Sequence, residues 1–449
     1  MERSKIIKAT LFVAVSLILL GYGARAQKVN EFSAKQAVEF GSKNAVQVKN
    51  ALLDVLIQEQ TNKDLTSAAY PQLNATGAFT DYLSIPTTLL PGEITGQPGG
   101  TYTPVKFGTK YSTSAGLGFV QTLFDGQVFV GLQARQTAID AKQKVAEITQ
   151  ENITANTYKI YYQLVVSKTQ TELLDDNIAR LQKLEHDTRE IYKNGFAEKV
   201  DIDKLVVQIA NLQTERLRVL KNIANGYSAL KVLIGMPAKD SLVLTDTLSE
   251  TQIKEKVLET VNYKYSDRRD YQLLELTTKL NKYNIKRYQL SQIPTLNFNG
   301  NYSYQAQRSE FTFFDKRGDW YATSYIGLNL NLPIFNGFRI KSRIAKSKLE
   351  LQQTQNEIEG LKISIDNDVE IAKNSFATAV AAMDFQKKNM ALAELVYEQT
   401  KKKYEIGTGS STEINTAQVD LKTAQTNYIT ALYDAIIARV DLLKATGRL

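Results

Sequence analysis

Cysteine is absent from all 449 residues of this chain, and histidine occurs once, at His186. Without cysteine the chain has no disulfide, no iron–sulfur cluster and no thiol nucleophile. A single histidine between two acidic residues is typical of a solvated helix surface and cannot build a histidine metal cluster. The segment Gly407-Thr408-Gly409-Ser410 looks faintly like a phosphate-binding loop, but it follows a predicted helix and lacks the lysine. We therefore expect no enzyme activity, no cofactor and no metal.

Long apolar runs are also missing after the first residues of the chain. No later stretch reaches about 18 consecutive apolar residues, so the sequence predicts no helix that crosses a bilayer. The early run Ala9–Leu20 follows three basic residues and precedes Ala24-Arg25-Ala26, which has the form of a cleavage site. This pattern predicts a secretory signal peptide over residues 1–26, with an N-terminal anchor as the alternative. The formal net charge of +8 is mild for this length and does not favour nucleic acid as a partner.

Proline is scarce, and its distribution is informative. Of 8 prolines, four lie between Ile85 and Pro104, together with a Pro98-Gly99-Gly100 turn, and we expect this segment to be an irregular exposed loop. Proline is absent from Gln127–Lys193 and from Phe338–Glu405. Each of these stretches predicts a helix of roughly 100 Å at about 1.5 Å per residue, longer than a globular domain needs.

Apolar residues recur at alternating spacings of three and four in the helical stretches. The clearest series is Leu421, Ala424, Tyr428, Ala431, Ala435, Ala438 and Leu442, and a second is Ile358, Leu361, Ile365, Val369, Ala372, Phe376, Ala379 and Met383. Such seams predict coiled-coil packing. Gly195 and Gly407 follow the long helices, where a left-handed C-cap would let the chain reverse. Return helices are expected over Ile202–Leu233 and Ile414–Leu443.

Several motifs occur twice. The pairs are Leu123-Phe124-Asp125-Gly126 with Ile334-Phe335-Asn336-Gly337, Tyr192-x-x-Gly195 with Tyr404-x-x-Gly407, Pro71-x-Leu73-Asn74 with Pro294-x-Leu296-Asn297, and Leu233-Ile234-Gly235 with Ala445-Thr446-Gly447. The second copy of each lies about 211 to 223 positions after the first. This spacing predicts a duplicated unit of a helix, a β-hairpin and a long helical hairpin. We expect a first repeat at 27–235, a connector at 236–266 and a second repeat at 267–449.

Strict alternation marks the strands. Around Thr295–Gln305 and Ala322–Leu332, one set of alternate residues is apolar and the other is rich in asparagine and serine. The first half repeats the pattern more weakly, at Leu73–Phe79 and Tyr111–Phe119. Segments of about ten residues with one apolar face are typical of outer-membrane barrel strands. Aromatic residues near the loop-side ends would form an interface girdle, at Tyr82, Tyr302, Tyr304, Trp320 and Tyr321. A soluble sandwich with one wet face is the alternative.

Four strands cannot close a barrel, and open strand edges are not tolerated in lipid. Several copies must then share one barrel, and symmetry favours a ring of identical chains. Strands that continue into helices of this length describe a duct through the outer membrane and across the periplasm. Two alternatives remain open, a freely open diffusion porin and a non-channel periplasmic coiled-coil scaffold.

The motifs occur in the same order in both halves of the chain, and together they resemble those of the TolC-like outer membrane efflux proteins. The resemblance covers nearly the whole chain after the signal peptide and rests on Ala68-Ala69-Tyr70-Pro71-Gln72-Leu73, Ile293-Pro294-Thr295-Leu296, the two Phe-Asp/Asn-Gly turns, the two Tyr-x-x-Gly tips and Ala445-Thr446-Gly447. It implies a mainly α protein with a membrane β-barrel, in which a homotrimer builds a twelve-strand barrel continuous with a twelve-helix periplasmic tunnel. The connector would lie in the equatorial region of that tunnel.

The resemblance also implies a function. The chain would be the outer-membrane exit duct of a tripartite efflux or type I secretion system, a passive channel opened by docking. Its partners would be a periplasmic adaptor (membrane fusion protein), an inner-membrane pump or ABC exporter, and outer membrane lipid. The docking surface would be the two tips, which comprise Gly195, Phe196, Ala197, Gly407, Thr408, Gly409 and Ser410. The strand–helix turns would be marked by Phe124, Gly126, Phe335 and Gly337.

A gate is implied near the tips. The family carries acidic residues six and nine places after the second tip glycine, which correspond here to Glu413 and Thr416, so one of two acidic rings is missing. Crowded carboxylates favour cations and resist full ionisation. The family's closed state joins the tip tyrosine to an acid, here Tyr404 and Asp201, whereas the arginine that often joins them is replaced by Gly409. The alternative is that Asp201 and Glu413 are only favourable acids near helix N-termini.

Overall fold

In a computed structural model of the chain, the structure describes residues 29–247, 253, 262–315 and 318–449. The predicted signal peptide and part of the predicted connector lie outside these residues. The described chain is mostly helical, and none of its helices has an apolar window long enough to cross a bilayer. The elements in chain order are β1 Val29–Phe32, α1 Ala34–Asn44, α2 Val46–Ser67, β2 Gln72–Asp81, β3 Thr87–Pro91, β4 Tyr102–Lys106, β5 Tyr111–Phe124, α3 Gly126–Lys193, α4 Lys199–Ile234, β6 Ser241–Leu244, α5 Arg269–Leu290, β7 Thr295–Arg308, β8 Tyr321–Asn331, α6 Arg339–Glu405 and α7 Ser411–Ala445.

The chain packs as two compact units. Unit 1 comprises residues up to Asp54, Lys142–Leu274 and Glu357–Leu449, and unit 2 comprises Val55–Ala141 and Glu275–Asn356. Each unit takes segments from both predicted repeats, because the units follow packing whereas the repeats follow sequence similarity. The repeat boundaries therefore stay predictions.

Unit 2 contains a four-stranded antiparallel sheet in the order β2–β5–β7–β8. Its register places Leu73 opposite Phe119, and Leu117 opposite Tyr302. The predicted alternation is thereby confirmed, since most members of the apolar set share one face and the asparagine- and serine-rich residues share the other. A β-bulge shifts the register of β5 between Thr122 and Phe124, just before α3 begins. The strands β2 and β8 are left as the two edges of this sheet.

The expectation of an irregular loop after Ile85 is wrong over part of its length. β3 and β4 form an antiparallel ribbon with Leu89 opposite Pro104, and a short 3-10 helix, Gly92–Thr95, lies between them. Proline has no backbone N–H and is excluded from the middle of a sheet. Both strands of a two-stranded ribbon are edges, however, and an edge tolerates proline. The prolines are therefore compatible with a two-stranded ribbon, although they would not fit the middle of a larger sheet.

In unit 1 the two predicted seams are confirmed and face each other. The buried cluster includes Ile365, Val369, Ala372, Phe376 and Met383 from α6, and Ala431, Ala435, Ala438 and Leu442 from α7. Each fully buried large apolar side chain contributes about 1.5–3 kcal/mol relative to exposure. The seam is therefore a main stabilising feature of the hairpin formed by α6 and α7.

A short parallel strand pair in unit 1 was not predicted. β1 and β6 pair from Val29 with Ser241 to Phe32 with Leu244. The buried Tyr161 of α3 holds this strand pair against the helix. Its hydroxyl donates to the Phe32 carbonyl oxygen at 2.8 Å and accepts from the backbone N–H of Asp246 at 3.2 Å. Burial raises the pKa of Tyr161 to about 12.

Candidate functional site

The two tips end their helices in the same way. Gly195 has φ +83° and Gly407 has φ +77°, the left-handed conformation predicted for both. The next residue of each tip donates its backbone N–H five residues back, from Phe196 to the Ile191 oxygen at 3.1 Å and from Thr408 to the Lys403 oxygen at 3.0 Å. These bonds define Schellman caps, which satisfy the last helical carbonyls. The tips are rigid turns that present Phe196, 85% exposed, and Ile406, 74% exposed.

The second tip leads directly into α7. The Ser410 hydroxyl accepts the backbone N–H of Glu413 at 3.2 Å, so Ser410 is the N-cap and the Glu413 carboxylate lies in the first helical turn. Gly409 packs closely against the end of α6, where a Cβ would lie 3.0 Å from the backbone nitrogen of Tyr404. A larger residue, such as the family's arginine, would need a small shift of this turn.

The predicted latch residues lie in unit 1 but have other partners. The Tyr404 and Thr188 hydroxyls share a hydrogen bond of 3.1 Å. Asp201 accepts the backbone N–H of Glu198 at 3.4 Å and pairs with Lys204 at 3.5 Å. Among the described residues, Tyr404 and Asp201 are therefore not bonded to each other in this conformation. The packing of α3 beside α6 brings the Thr188 hydroxyl to Tyr404.

A polar stripe runs along the exposed side of α7, opposite its buried seam. Its exposed residues are spaced alternately by three and four, as Glu413, Thr416, Asp420, Thr423, Asn427, Thr430 and Asp434. This spacing keeps them on one face of the helix. The two predicted gate positions, Glu413 and Thr416, thus begin a continuous polar face that contains two more carboxylates.

The opposite side of α7 carries a buried amide cluster. Asn177 of α3 is 1% exposed and accepts a hydrogen bond from the Gln418 side chain at 2.8 Å. Its own side-chain N–H group donates to the Gln425 side-chain oxygen, also at 2.8 Å. Both glutamines are buried and lie one heptad apart on α7. Such a cluster fixes the register of one helix against another.

The strand–helix turns of unit 2 differ in detail. At Gly126 a Cβ would lie 2.7 Å from the Cβ of Leu290, so close packing against the end of α5 requires glycine. Gly337 instead has φ +61°, and Phe338 follows it at φ +63°, an uncommon conformation for a non-glycine residue. The rings of Phe335 and Phe338 meet edge to face at 5.6 Å. Each turn therefore needs its glycine for a different reason.

The apolar face of the sheet is open in the single chain. Leu73 is 68% exposed, Ile326 79% and Leu328 67%. Toward the loop-side end, Phe79 meets Phe311 and Phe313 edge to face at 5.7 Å and 5.8 Å. An exposed apolar face of this kind marks a surface that a membrane or another protein chain covers.

Comparisons with known proteins point to one family. A family model described as outer membrane efflux protein matches residues 267–448. The outer membrane protein TolC of Vibrio cholerae serotype O1 is 20% identical over 337 residues, which are 75% of this chain and 77% of that protein. The probable efflux pump outer membrane protein TtgC of Pseudomonas putida is 22% identical over 386 residues, 84% of this chain and 75% of the relative.

Solved structures share the fold. The Campylobacter jejuni CmeC outer membrane channel superposes with a TM-score of 0.72 at 17% identity, covering 95% of this chain and 90% of that one. The outer membrane protein VceC from Vibrio cholerae gives 0.71 at 14% identity, covering 92% and 96%. Residues 267–448 thus match the outer membrane efflux protein family, and three quarters of the chain is similar to TolC. In common with these relatives it is an outer membrane protein with a periplasmic portion.

Sequence reasoning missed two residues in the tip region of this chain. Thr188 is fully buried and holds the Tyr404 hydroxyl, and no local pattern identifies it because the contact joins α3 to α6. Asp420 follows Glu413 by one heptad on the polar stripe, so its spacing alone could have identified it.

Proposed function

We propose that three copies of this chain form a gated exit duct, with a twelve-strand barrel in the outer membrane and a twelve-helix tunnel in the periplasm. The observation that carries the proposal is the four-stranded sheet, whose apolar face is exposed and whose edges are β2 and β8. Unpaired backbone groups at such edges are very unfavourable in lipid. Pairing β8 of one copy with β2 of the next satisfies both edges and closes the ring.

Gene duplication accounts for the matched parts of the two halves. Gly195 and Gly407 adopt the same cap, and so do Gly235 and Gly447, with φ of +74° and +71°. The later pair also makes the same backbone bonds, from Met236 to the Lys231 oxygen at 2.8 Å and from Arg448 to the Leu443 oxygen at 2.8 Å. Recurrence of two caps at matched positions supports one ancestral helical hairpin copied within the chain.

The tips are the proposed docking surface for a periplasmic adaptor linked to an inner-membrane pump or ABC exporter. Phe196 and Ile406 expose large apolar side chains on capped, rigid turns. Apolar anchors on rigid elements are the usual centre of a protein interface. The name of the P. putida relative includes an efflux pump. Energy for transport would come from the pump, since the proposed duct is passive.

The gate is proposed at the beginning of the polar stripe. In a trimer three Glu413 carboxylates would face one another across the axis, with the uncharged Thr416 one turn along. In the closed state Tyr404 would bond Asp201, and in the present conformation its hydroxyl meets Thr188 instead. Docking would shift Tyr404 between these partners. Combining Tyr404→Phe with Asp201→Ala should raise the resting conductance, and an unchanged conductance would reject the latch.

Crosslinking tests the shared barrel directly, because the chain has no native cysteine. Thr76→Cys on β2 is combined in turn with Thr323→Cys, Tyr325→Cys or Asn329→Cys on β8, which samples about 20 Å of strand. Within one chain the two edges are about 14 Å apart across three strand spacings, so a bismaleimide of about 8 Å favours links between copies.

The proposal predicts covalent dimers and trimers on a denaturing gel, with no larger species. Each single-cysteine variant is the control and should give no trimer. A ladder that continues past three copies would reject the closed trimer. If every pair yields only monomer, the edges do not meet and the non-channel scaffold becomes the better account.

A further inference from the structure

The first turns of α6 carry an unusual concentration of positive charge. Arg339, Lys341, Arg343, Lys346 and Lys348 are all exposed, and no acidic residue occurs from Leu332 to Leu349. Positive charge at a helix N-terminus opposes the helix dipole and is mildly destabilising. In the part of the chain that the structure describes, Lys346 alone of the five pairs with a carboxylate, that of Glu350 at 3.6 Å. Helix stability therefore does not explain these residues.

A second basic segment lies beside the first within unit 2. The ring of Tyr288 on α5 has the Arg287 guanidinium 4.9 Å from its centre and the Arg343 guanidinium of α6 at 5.7 Å. Further along, Asn281 donates to the Thr354 hydroxyl at 2.9 Å, which holds the same two helices together. The exposed Lys282 and Lys286 of α5 lie at the level of the first turns of α6, and Lys286 donates to the Gln133 side chain of α3 at 3.0 Å. On α6, Lys341 and Lys348 lie on the opposite face from Arg339 and Arg343, so the basic residues form a band around the helices. We call this band the basic belt: Lys282, Lys286, Arg339, Lys341, Arg343 and Lys348.

The basic belt lies next to the end of the sheet. Thr295 at the start of β7 pairs with Asn331 at the end of β8, so the chain leaves α5 and enters α6 at the same sheet end. Between β8 and α6 the chain exposes Ile334 at 90%, Phe335 at 75% and Phe338 at 66%. Exposed apolar residues followed at once by basic residues are typical of a segment at the boundary between acyl chains and headgroups.

We propose that the basic belt binds the phosphate groups of anionic phospholipids in the periplasmic leaflet of the outer membrane. The inference rests on the proposed barrel, which would place this end of the sheet at that leaflet. Charge complementarity and continuity with the apolar turn identify the occupant, since Ile334 and Phe335 would contact acyl chains while the belt contacts phosphate. The corresponding start of α3 carries only Arg135 before Asp140, so the belt has no counterpart there.

Lipid titration with matched variants tests the proposal. The purified protein in a neutral detergent is titrated with phosphatidylglycerol or with phosphatidylethanolamine, and bound lipid is counted by native mass spectrometry. Arg339, Lys341, Arg343 and Lys348 are replaced together by glutamine. The control replaces four exposed lysines of the same helix by glutamine, namely Lys373, Lys388, Lys402 and Lys403. Inorganic phosphate is added as a competitor that lacks acyl chains.

We expect the native protein to bind phosphatidylglycerol at least about tenfold more tightly than phosphatidylethanolamine, because each basic residue near the surface adds to the attraction of an anionic headgroup. The belt variant should lose this preference to within about twofold, and the control should keep it. Displacement of the lipid by inorganic phosphate at equal concentration would show a simple anion site and overturn the lipid proposal. An unaltered preference in the belt variant, or an equal loss in the control, would overturn it as well.

The same preparations separate this inference from the proposed duct. If the native protein conducts ions in a planar bilayer but shows no preference for phosphatidylglycerol, the lipid inference alone is wrong. If it does not conduct at all, the proposed duct is wrong, and lipid binding to the belt would not take place at the base of a membrane barrel.

Discussion

Replacing Asn177 by leucine should loosen the contact between α3 and α7 in unit 1. The substitution leaves the side-chain N–H group of Gln418 and the side-chain oxygen of Gln425 buried without their partner, each of which it now meets at 2.8 Å. A buried polar group left unsatisfied costs about 1–3 kcal/mol. For the two groups together we expect a loss of about 2–4 kcal/mol of local stability.

Hydrogen exchange followed by mass spectrometry measures this loss where it occurs. Because about 1.4 kcal/mol corresponds to a factor of ten in an equilibrium constant, amides around Asn177 and Gln418 should exchange about 30- to 700-fold faster. Amides of the sheet in unit 2 serve as the internal control and should keep their native rates. Exchange near Asn177 that stays within about threefold of native would refute the reasoning.

A compensating variant makes the test sharper. When leucine replaces Asn177, Gln418 and Gln425 together, no amide of the cluster is left unpaired, and removal of both partners of a hydrogen bond is close to neutral. The half-buried Arg180 guanidinium, which donates to the Asn177 oxygen at 3.1 Å, is the one group among the described side chains that still loses a partner. The oxygen of the Gln418 side chain already lacks a hydrogen-bond partner in the described chain, and its removal favours the triple variant further. Protection should therefore return to near the native level. A triple variant as unprotected as the single variant would show that the amides act in some other way.

Two further perturbations follow from the connector region and the caps. Gly235→Ala should lower the melting temperature clearly more than Gly195→Ala. Both glycines have a left-handed backbone, in which alanine costs about 1–2 kcal/mol. Only at Gly235, however, would the added Cβ lie 2.2 Å from the Asn44 carbonyl oxygen, whereas Gly195 faces open space. Equal shifts would contradict this. The hydrogen bond from Tyr263 to Asp366 raises the pKa of that tyrosine from 10.0 to about 12. The folded chain then holds the proton more tightly than the unfolded chain, so this contribution is complete below about pH 10 and is lost as pH rises toward 12. Melting of Tyr263→Phe should depend less steeply on pH across that window, and parallel curves would show that the bond is unimportant.

The regular parts of this fold could be predicted because their signals are local. Two long proline-free stretches with spacings of three and four are enough to predict α3, α6 and the seam of α7. Strict alternation predicted the four strands of the sheet and which residues share a face. Glycine at the end of a long helix predicted the left-handed caps. Each of these signals lies within one element and needs no knowledge of its neighbour.

The missed features depend on contacts between distant segments. β1 and β6 are four residues long each and pair across more than 200 positions, so neither has a pattern of its own. The ribbon of β3 and β4 contains prolines that argue against strands everywhere except at an edge. Tyr404 meets Thr188 rather than Asp201 because the register between α3 and α6 is set by packing, which residue spacing does not encode.

Single-channel recording in a planar bilayer tests the central claim that this protein is a constricted duct with an acidic gate. The native protein is compared with Glu413→Ala and with Glu394→Ala, which removes another exposed acid of unit 1. We predict a small, cation-selective conductance that loses its selectivity only in Glu413→Ala. A large and weakly selective conductance that does not depend on Glu413 would contradict the account in favour of an open porin, and the absence of any conductance would favour the scaffold.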